Sequence, residues 1–483
     1  MKDRYGIRGF VLRSVVIAAL ACAGVAAGVS TASATQAEYD QGHALGLDAY
    51  LYGLPLVTTN KTFQNQTSVN VSNGQGFGPV NRFNPVRQFA DPNAKAVVAP
   101  NYDTLYSIAW LNLKSQPMVI HVPKVKNRYF VIPLMDPYTE DFKNLGSVNR
   151  TKPGNYAVVG PKNYKKKLPK GVKRIKSTTN RVWIIERVFG IPGDKKDLAK
   201  VHKIQNQTTI TPLNKFGKKG WKPKPPKKKD TKIDNPAMPT GLDFFNVLGG
   251  LLKRFPPPAA DKPELQKLAA VGIGPGLKPA DAGLSEDTLR GLSDAVTDGP
   301  ATIDASVTSN YIASSLKHNG YLVLATGKYG TDYKTRASVT KIGLGALLPN
   351  EAVYPLAQTD KSLSPLLGSK VYRLHIDAGQ LPPVRAFWSL SMYGSDGYFV
   401  PNSAGRYTIS DRTDLHVNDD GSIDLWIQST QPTDPDRAQN WLPSPPDGSK
   451  FRLIWRLYDT RPDQLAGVLD GTGWTPPAID PGL

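Results

Sequence analysis

Phe451-Arg452-Leu453-Ile454-Trp455-Arg456-Leu457-Tyr458 alternates Phe, Leu, Trp and Leu with Arg, Ile, Arg and Tyr. A period of two puts each set on its own face of a β-strand, one apolar and one unusually polar for the outside of a sandwich. The polar face is expected to be solvated or to line a concave groove. The same period recurs at Tyr372, Leu374 and Ile376, across 387–393, and at Ile423, Leu425 and Ile427. In the N-terminal half it marks Tyr106, Ile108 and Trp110; Met118, Ile120 and Val122; Tyr129 and Val131 against Phe130 and Ile132; and Trp183, Ile185 and Phe189. These runs follow one another without intervening helices, which favours antiparallel sandwiches over a doubly wound parallel sheet. Asp420-Gly421 predicts a tight hairpin turn with positive φ at both central residues.

Between the β-rich regions the period lengthens. Asp194 caps a helix through Gln205, and further helices are expected over 242–255, 263–271 and 285–296, the last opened by Ser285. A leading helix covers 35–56, ended by Gly53 and Pro55. The fold class is therefore mainly β with a helical middle. Its segments are a leader (1–34), an N-terminal helix (35–60), a β-sandwich (61–192), a helical domain with a Lys/Pro-rich loop (193–365), a second sandwich (366–465) and a tail (466–483).

The 483 residues include 43 Gly, 41 Pro and one Cys. That length suffices for two or three domains with cores of their own, and the composition excludes collagen, coiled coil and a disulfide mini-protein. Lys2, Arg4, Arg8 and Arg13, an apolar stretch and Ala32-Ser33-Ala34 read as an export signal cleaved near Ala34, giving a secreted or periplasmic protein without a transmembrane segment. Lipidation at Cys22 is the competing reading, disfavoured by Ala19. Cleavage after Ala34 would leave a mature chain without thiols.

The formal charge is +20. Most of it lies in two runs: eight Lys and Arg without an acid between Lys162 and Lys176, and nine Lys against Asp230 alone between Lys215 and Lys232. The second run, rich in Pro, is expected to be extended and solvated. Such runs either solubilise or attract an anionic envelope polymer or polysaccharide. Nucleic acid is not expected as a partner, since neither a recognition helix nor a zinc spacing is present.

The six His form no metal-ligand pair, and nucleophile-elbow and phosphate-loop motifs are absent, so neither metal nor cofactor is expected. Gly272, Gly274 and Gly276 lack a preceding strand, and 418–421 lacks the acid pattern of a calcium loop. What remains is a set of polar-aromatic clusters. Asn101, Asp103 and Tyr106 open one strand, while Asp136 and Tyr138 close another. Asp332, Tyr333 and Arg336 lie within two helical turns, with Asp332 and Arg336 spaced to pair at i, i+4. Trp388, Tyr393, Arg406, Asn440 and Trp441 combine flat rings with the donors and acceptors that a sugar-binding groove needs.

These clusters carry a resemblance. Residues 100–107, Arg128-Tyr129, 134–139, Gly154-Asn155-Tyr156 and Gly160-Pro161 resemble the first domain of a bacterial family named for two domains of unknown function, 1254 and 1214. Tyr329-Gly330-Thr331-Asp332-Tyr333 and Arg336-Ala337 match its bridge. Leu381-Pro382-Pro383, 386–390, Met392-Tyr393, 440–443 and Arg456-Leu457-Tyr458 match the second domain. Tyr102 departs from the pattern, standing where a second Asn is common. The resemblance implies an immunoglobulin-like sandwich, a helical middle and a jelly roll, and it implies no reaction. Two functions follow. The first is binding of a glycan or other envelope ligand through Asn101, Asp103, Tyr106, Tyr333, Trp388, Tyr393, Arg406, Asn440 and Trp441. The alternative is a hydrolase or lyase acting on an acidic polysaccharide or ester, with Asp136, Tyr138 and Asp332 as acid-base groups and Arg336 or Arg406 holding an anion.

Overall fold

The computed structural model describes residues 28–94 and 98–482, with side chains from residue 35 onward. The leader reading thus falls outside the described residues as far as residue 27. Helix α1, Gly28–Gln66, runs through Pro55 instead of ending there. Pro55 forfeits one backbone bond, and burial of Leu51, Leu54, Leu56 and Val57 among the other helices offsets it.

Among the described residues the first sandwich contains nine strands. β1 (Asn84–Pro85), β2 (Thr104–Asn112), β3 (Met118–Val122), β4 (Phe130–Met135), β5 (Asp141–Gly146), β6 (Gly154–Val159), β7 (Lys173–Lys176), β8 (Arg181–Phe189) and β9 (Thr209–Pro212) form two sheets, ordered β1-β2-β8-β4-β5 and β7-β6-β3-β9. Leu105, Leu111, Ile132 and Ile184 of one sheet meet Ile120, Tyr156, Val158 and Ile210 of the other. Helix α2 (Lys195–Gln207) is capped as expected, with the Asp194 carboxylate accepting from the backbone N–H groups of Lys196 and Asp197, and its Val201 enters this same core. α2 and β9 thus close the sandwich, whose strands reach Pro212.

Helices α3 (Leu242–Arg254), α4 (Lys262–Ala269), α5 (Glu286–Ser315) and α6 (Tyr333–Gly343) join α1 in a bundle. α5 continues well past Val296, through Pro300, because Ile303, Val307 and Tyr311 keep an apolar face buried. α1 and α5 cross closely: a Cβ on Gly42 would lie 2.5 Å from the Thr288 carbonyl oxygen, and one on Gly291 2.3 Å from that of Tyr39.

The second sandwich contains β10 (Ala352–Val353), β11 (Leu356–Ala357), β12 (Tyr372–Ile376), β13 (Val384–Gly394), β14 (Thr408–Ser410), β15 (Ile423–Gln428), β16 (Trp441–Pro443), β17 (Phe451–Thr460) and β18 (Ile479–Pro481). One sheet runs β10-β17-β13-β14, with β11 also on β17; the other runs β16-β15-β12-β18. The short helices α7 (Pro435–Gln439) and α8 (Leu465–Asp470) lie between its strands. Pairing is antiparallel except for β6 with β7 and β15 with β16. The 418–421 turn also differs from expectation: only Gly421 takes positive φ, at 83°. The Gly421 N–H donates to the Asn418 carbonyl, and the Asn418 N–H donates to that of Ser422. Four residues make the turn, so one left-handed position is enough.

The polar face of β17 is not a solvated outer face: Ile454 and Arg456 on it line a cavity. Its apolar face, with Leu453, Trp455 and Leu457, packs against the second sheet of its own sandwich. Tyr458 on the other face packs with Tyr129, Val131 and Phe387, so the two sandwiches meet across it. Both Lys-rich runs are largely exposed, and the Pro-rich one has no regular structure from 221 to 240. No helix among the described residues is long and apolar enough to cross a membrane.

Candidate functional site

A cavity of about 120 Å³ lies where the sandwiches meet, far more than the 10–15 Å³ one water requires. Strand alternation brings Tyr106 and Ile108 of β2, Trp183, Ile185 and Arg187 of β8, and Ile454 and Arg456 of β17 to its walls. The chain after α6 completes it. Gly345 there has φ 85°, and a Cβ would stand 2.7 Å from Ile185 Cδ1, so glycine answers both the backbone and the space.

Two guanidiniums dominate the site. Arg187 is 6 % and Arg456 4 % exposed. Arg187 Nη2 donates to the Gly345 carbonyl at 2.5 Å and Nη1 to Tyr354 Oη at 3.4 Å, while Nε has no partner. Arg456 donates to Ser391 Oγ at 3.1 Å and to the carbonyl of Ala99 at 2.9 Å. Ala99 holds φ 52°, a sparsely populated conformation for a residue with a Cβ, and that conformation presents its carbonyl to Arg456. Among the described residues neither arginine has a carboxylate within ion-pair distance. Of the acids close enough to feel Arg187, Glu351 is pushed up to about 7 and Asp141 well above the usual carboxylate range, in both cases chiefly by burial. Asp103, the acid nearest in effect to Arg456, is committed elsewhere, paired with Arg412 at 2.5 Å and accepting from Ser389 Oγ at 2.6 Å. Burial raises the phenols of Tyr354 and Tyr458, which keeps them neutral hydrogen-bonding groups.

The predicted site residues divide among several places. Asn101 and Tyr106 line the cavity. Asn101 also accepts from the backbone of Asp103 and Thr104 and donates to Tyr458 Oη, fixing the turn into β2. Asp136, Tyr138, Tyr333 and Arg336 belong to a polar cluster between the first sandwich and the helices. Asp136 makes an Asx-turn, accepting from the N–H groups of Tyr138 (2.8 Å) and Glu140 (3.1 Å), and burial pushes it up to about 7. Tyr138 Oη donates to the Phe255 carbonyl, and Tyr333 Oη to Asp261. The expected Asp332–Arg336 pair is not made: Asp332 is exposed and caps α6 through the Thr335 N–H. Arg336 turns inward to Glu140 at 3.2 Å and to the Gly330 carbonyl. Helix geometry allowed the i, i+4 pair, but capping a helix N-terminus competes for the same carboxylate.

The aromatic set lies within the second sandwich. Trp388 packs against Trp455 in its core, Tyr393 donates to the Pro100 carbonyl, and Trp441 Nε1 donates to that of Gln428. Arg406 donates to the carbonyls of Gln439 and Trp441, and Asn440 ties His416 to Asp424. These rings present no face to solvent. Arg187 and Tyr354 were not singled out from the sequence. The signal for Arg187 was its register: it falls between Ile185 and Phe189 on a face that period two marks as buried.

Fold and site together define a helix-bridged pair of β-sandwiches enclosing a cationic cavity. Residues 80–212 match the family model described as protein of unknown function (DUF1254), and residues 351–462 the one described as protein of unknown function (DUF1214). The chain belongs to the family that joins these two domains. Its fold is similar to the crystal structure of the VPA0106 protein from Vibrio parahaemolyticus, with TM-score 0.63 and 23% identity over 92% of this chain and 100% of that one. A weaker likeness, TM-score 0.41 and 12% identity over 94% of this chain and 97% of the other, is to an uncharacterized protein from Burkholderia cenocepacia. No curated protein is a significant match.

Proposed function

We propose that this protein binds a small anion with an apolar body in the cavity between its sandwiches. The observation that carries the proposal is the pair of buried guanidiniums facing one cavity that no carboxylate lines among the described residues. An isolated buried charge costs several kcal/mol, and an arginine stays protonated, so the missing counter-charge is the ligand's. The apolar walls from Ile108, Ile185, Leu356 and Ile454 receive the ligand's body. This narrows the broader expectation of a glycan or envelope ligand toward a carboxylate carried on a hydrocarbon or aromatic frame. Binding is favoured over turnover because Asp136, Tyr138, Asp332 and Arg336 do not line the cavity and the Tyr354 phenol on its wall is raised, not lowered. An extracytoplasmic location rests on the leader pattern, and an immunoglobulin-like first sandwich and a jelly-roll second one rest on the family resemblance. A mature N-terminus sequenced near Thr35 supports export.

Calorimetric titration with octanoate and phenylacetate, each against its matched alcohol, tests the binding proposal. Acids binding where alcohols do not, with the difference lost in Arg187→Met and Arg456→Met, is the expected result. Equal binding of acid and alcohol, or no binding of either acid, overturns it. Chemical conversion of a bound acid or its ester returns the hydrolase or lyase alternative.

A further inference from the structure

A second pocket, of about 290 Å³, lies at the far end of the first sandwich, where β2 ends and β8 begins against α1 and the end of α3. Its lining includes Lys114, Lys162, Arg181 and Arg254 and no acid. Arg181 forms the floor. It is 5 % exposed, its guanidinium lies 3.7 Å from the Phe63 ring centroid and 4.8 Å from that of Phe255, and Nη1 donates to Asn60 Oδ1 at 2.9 Å. Among the described residues its other donors have no hydrogen-bond acceptor, and no carboxylate lies within ion-pair distance. Lys114, Lys162 and Arg254 stand exposed at the rim, outside every ion pair formed among the described residues.

Like charges gathered around a desolvated guanidinium repel, and among the described residues no carboxylate offsets them. Burial, together with the neighbouring Arg254, pushes Arg181 down to about 9, the direction expected of a cation whose partner is missing. A planar fork held between two rings, with N–H groups left without acceptors and three exposed cations around the mouth, matches a compact oxyanion bearing more than one negative charge.

We propose that this pocket is a binding site for a phosphate-class oxyanion, with Arg181 as the fixed floor contact and Lys114, Lys162 and Arg254 closing over it. Lys162 also opens the first Lys-rich run, which continues through Lys165, Lys166 and Lys167. The same chemistry therefore has two sources: a free oxyanion that fills the pocket alone, or the end of a chain of oxyanions that leaves the pocket along that run.

Titration of the full chain at low ionic strength with inorganic phosphate, pyrophosphate and long-chain polyphosphate tests the proposal. Binding of at least one probe is expected, weakened about tenfold in Arg254→Gln and further in Arg254→Gln with Lys162→Gln, as loss of a charge-assisted hydrogen bond predicts. Both positions are exposed, so these variants fold whether or not Arg181→Gln does. Lys224→Gln, in the Pro-rich run, leaves pyrophosphate affinity unchanged. Affinity that rises with chain length and falls in Lys165→Gln with Lys166→Gln assigns the polymeric source; affinity indifferent to both assigns the free oxyanion. If no probe binds, or if pyrophosphate binds the double rim variant as well as the wild type, the proposal is wrong.

Discussion

Arg336 and Arg187 are both buried guanidiniums near tyrosines and acids, yet they sit in opposite electrostatic situations. Arg336 meets Glu140 and the Gly330 carbonyl, and Glu140 in turn accepts from the N–H groups of Tyr329 and Gly330. Arg187 meets a carbonyl and a phenol, and the acids within its reach are held toward neutrality. The paired arginine is a tie between the first sandwich and α6. The unpaired one faces a cavity. A buried cation points to a ligand when its counter-charge is missing, not when acids and phenols crowd around it in sequence.

The sharpest way to break this contrast is to remove each partner in turn. Glu140→Ala leaves Arg336 buried without its carboxylate and is expected to destabilise the fold by about 3–5 kcal/mol in urea unfolding. Arg456→Met removes a charge that has no carboxylate partner; the relieved desolvation offsets the lost hydrogen bonds to Ser391 and Ala99, so stability is expected to change by about 1 kcal/mol or less, while acid binding is abolished. Equal losses of stability in the two variants would erase the distinction.

Proton linkage offers a smaller test. Asp136, Glu186 and Glu351 are each pushed up to about 7, chiefly by burial. An acid raised in the folded state keeps its proton while the unfolded chain loses it. The stability it contributes is complete below the unfolded value near 4 and falls as pH rises through 7. The melting temperature is therefore expected to drop between pH 5 and pH 8, and Glu351→Gln to flatten part of that slope. Because ionised Glu351 supplies Arg187 with a counter-charge, acid binding in the cavity should also weaken from pH 6 to pH 8, and less so in Glu351→Gln. The smallest expected effect belongs to Asp332→Ala. Loss of the α6 cap costs about 1 kcal/mol and leaves acid binding intact, marking Asp332 as a helix terminus.

The β-strand runs and the helical middle were legible because period two and the cap at Asp194 are local properties. The ends of α1 and α5 were not, since Pro55 and Pro300 are stop signals that tertiary burial overrode. At β17 the alternation separated a polar face from an apolar one but carried no information about what covers either, and the covering surface comes from strands more than 250 residues earlier. Asp136 and Tyr138 drew attention as neighbours, and proximity in sequence served an Asx-turn instead. Trp388 and Trp441 look alike in sequence whether they form a platform or a core; their burial decides.

The interdomain cavity takes Arg187 from one sandwich and Arg456 from the other, with the chain after α6 as the third wall. Neither half holds the cavity by itself. Recombination that exchanged one sandwich for an unrelated β-domain would deliver a well-folded partner holding a single cation over an open surface, so the two halves have to be inherited as a unit for the trait to pass on.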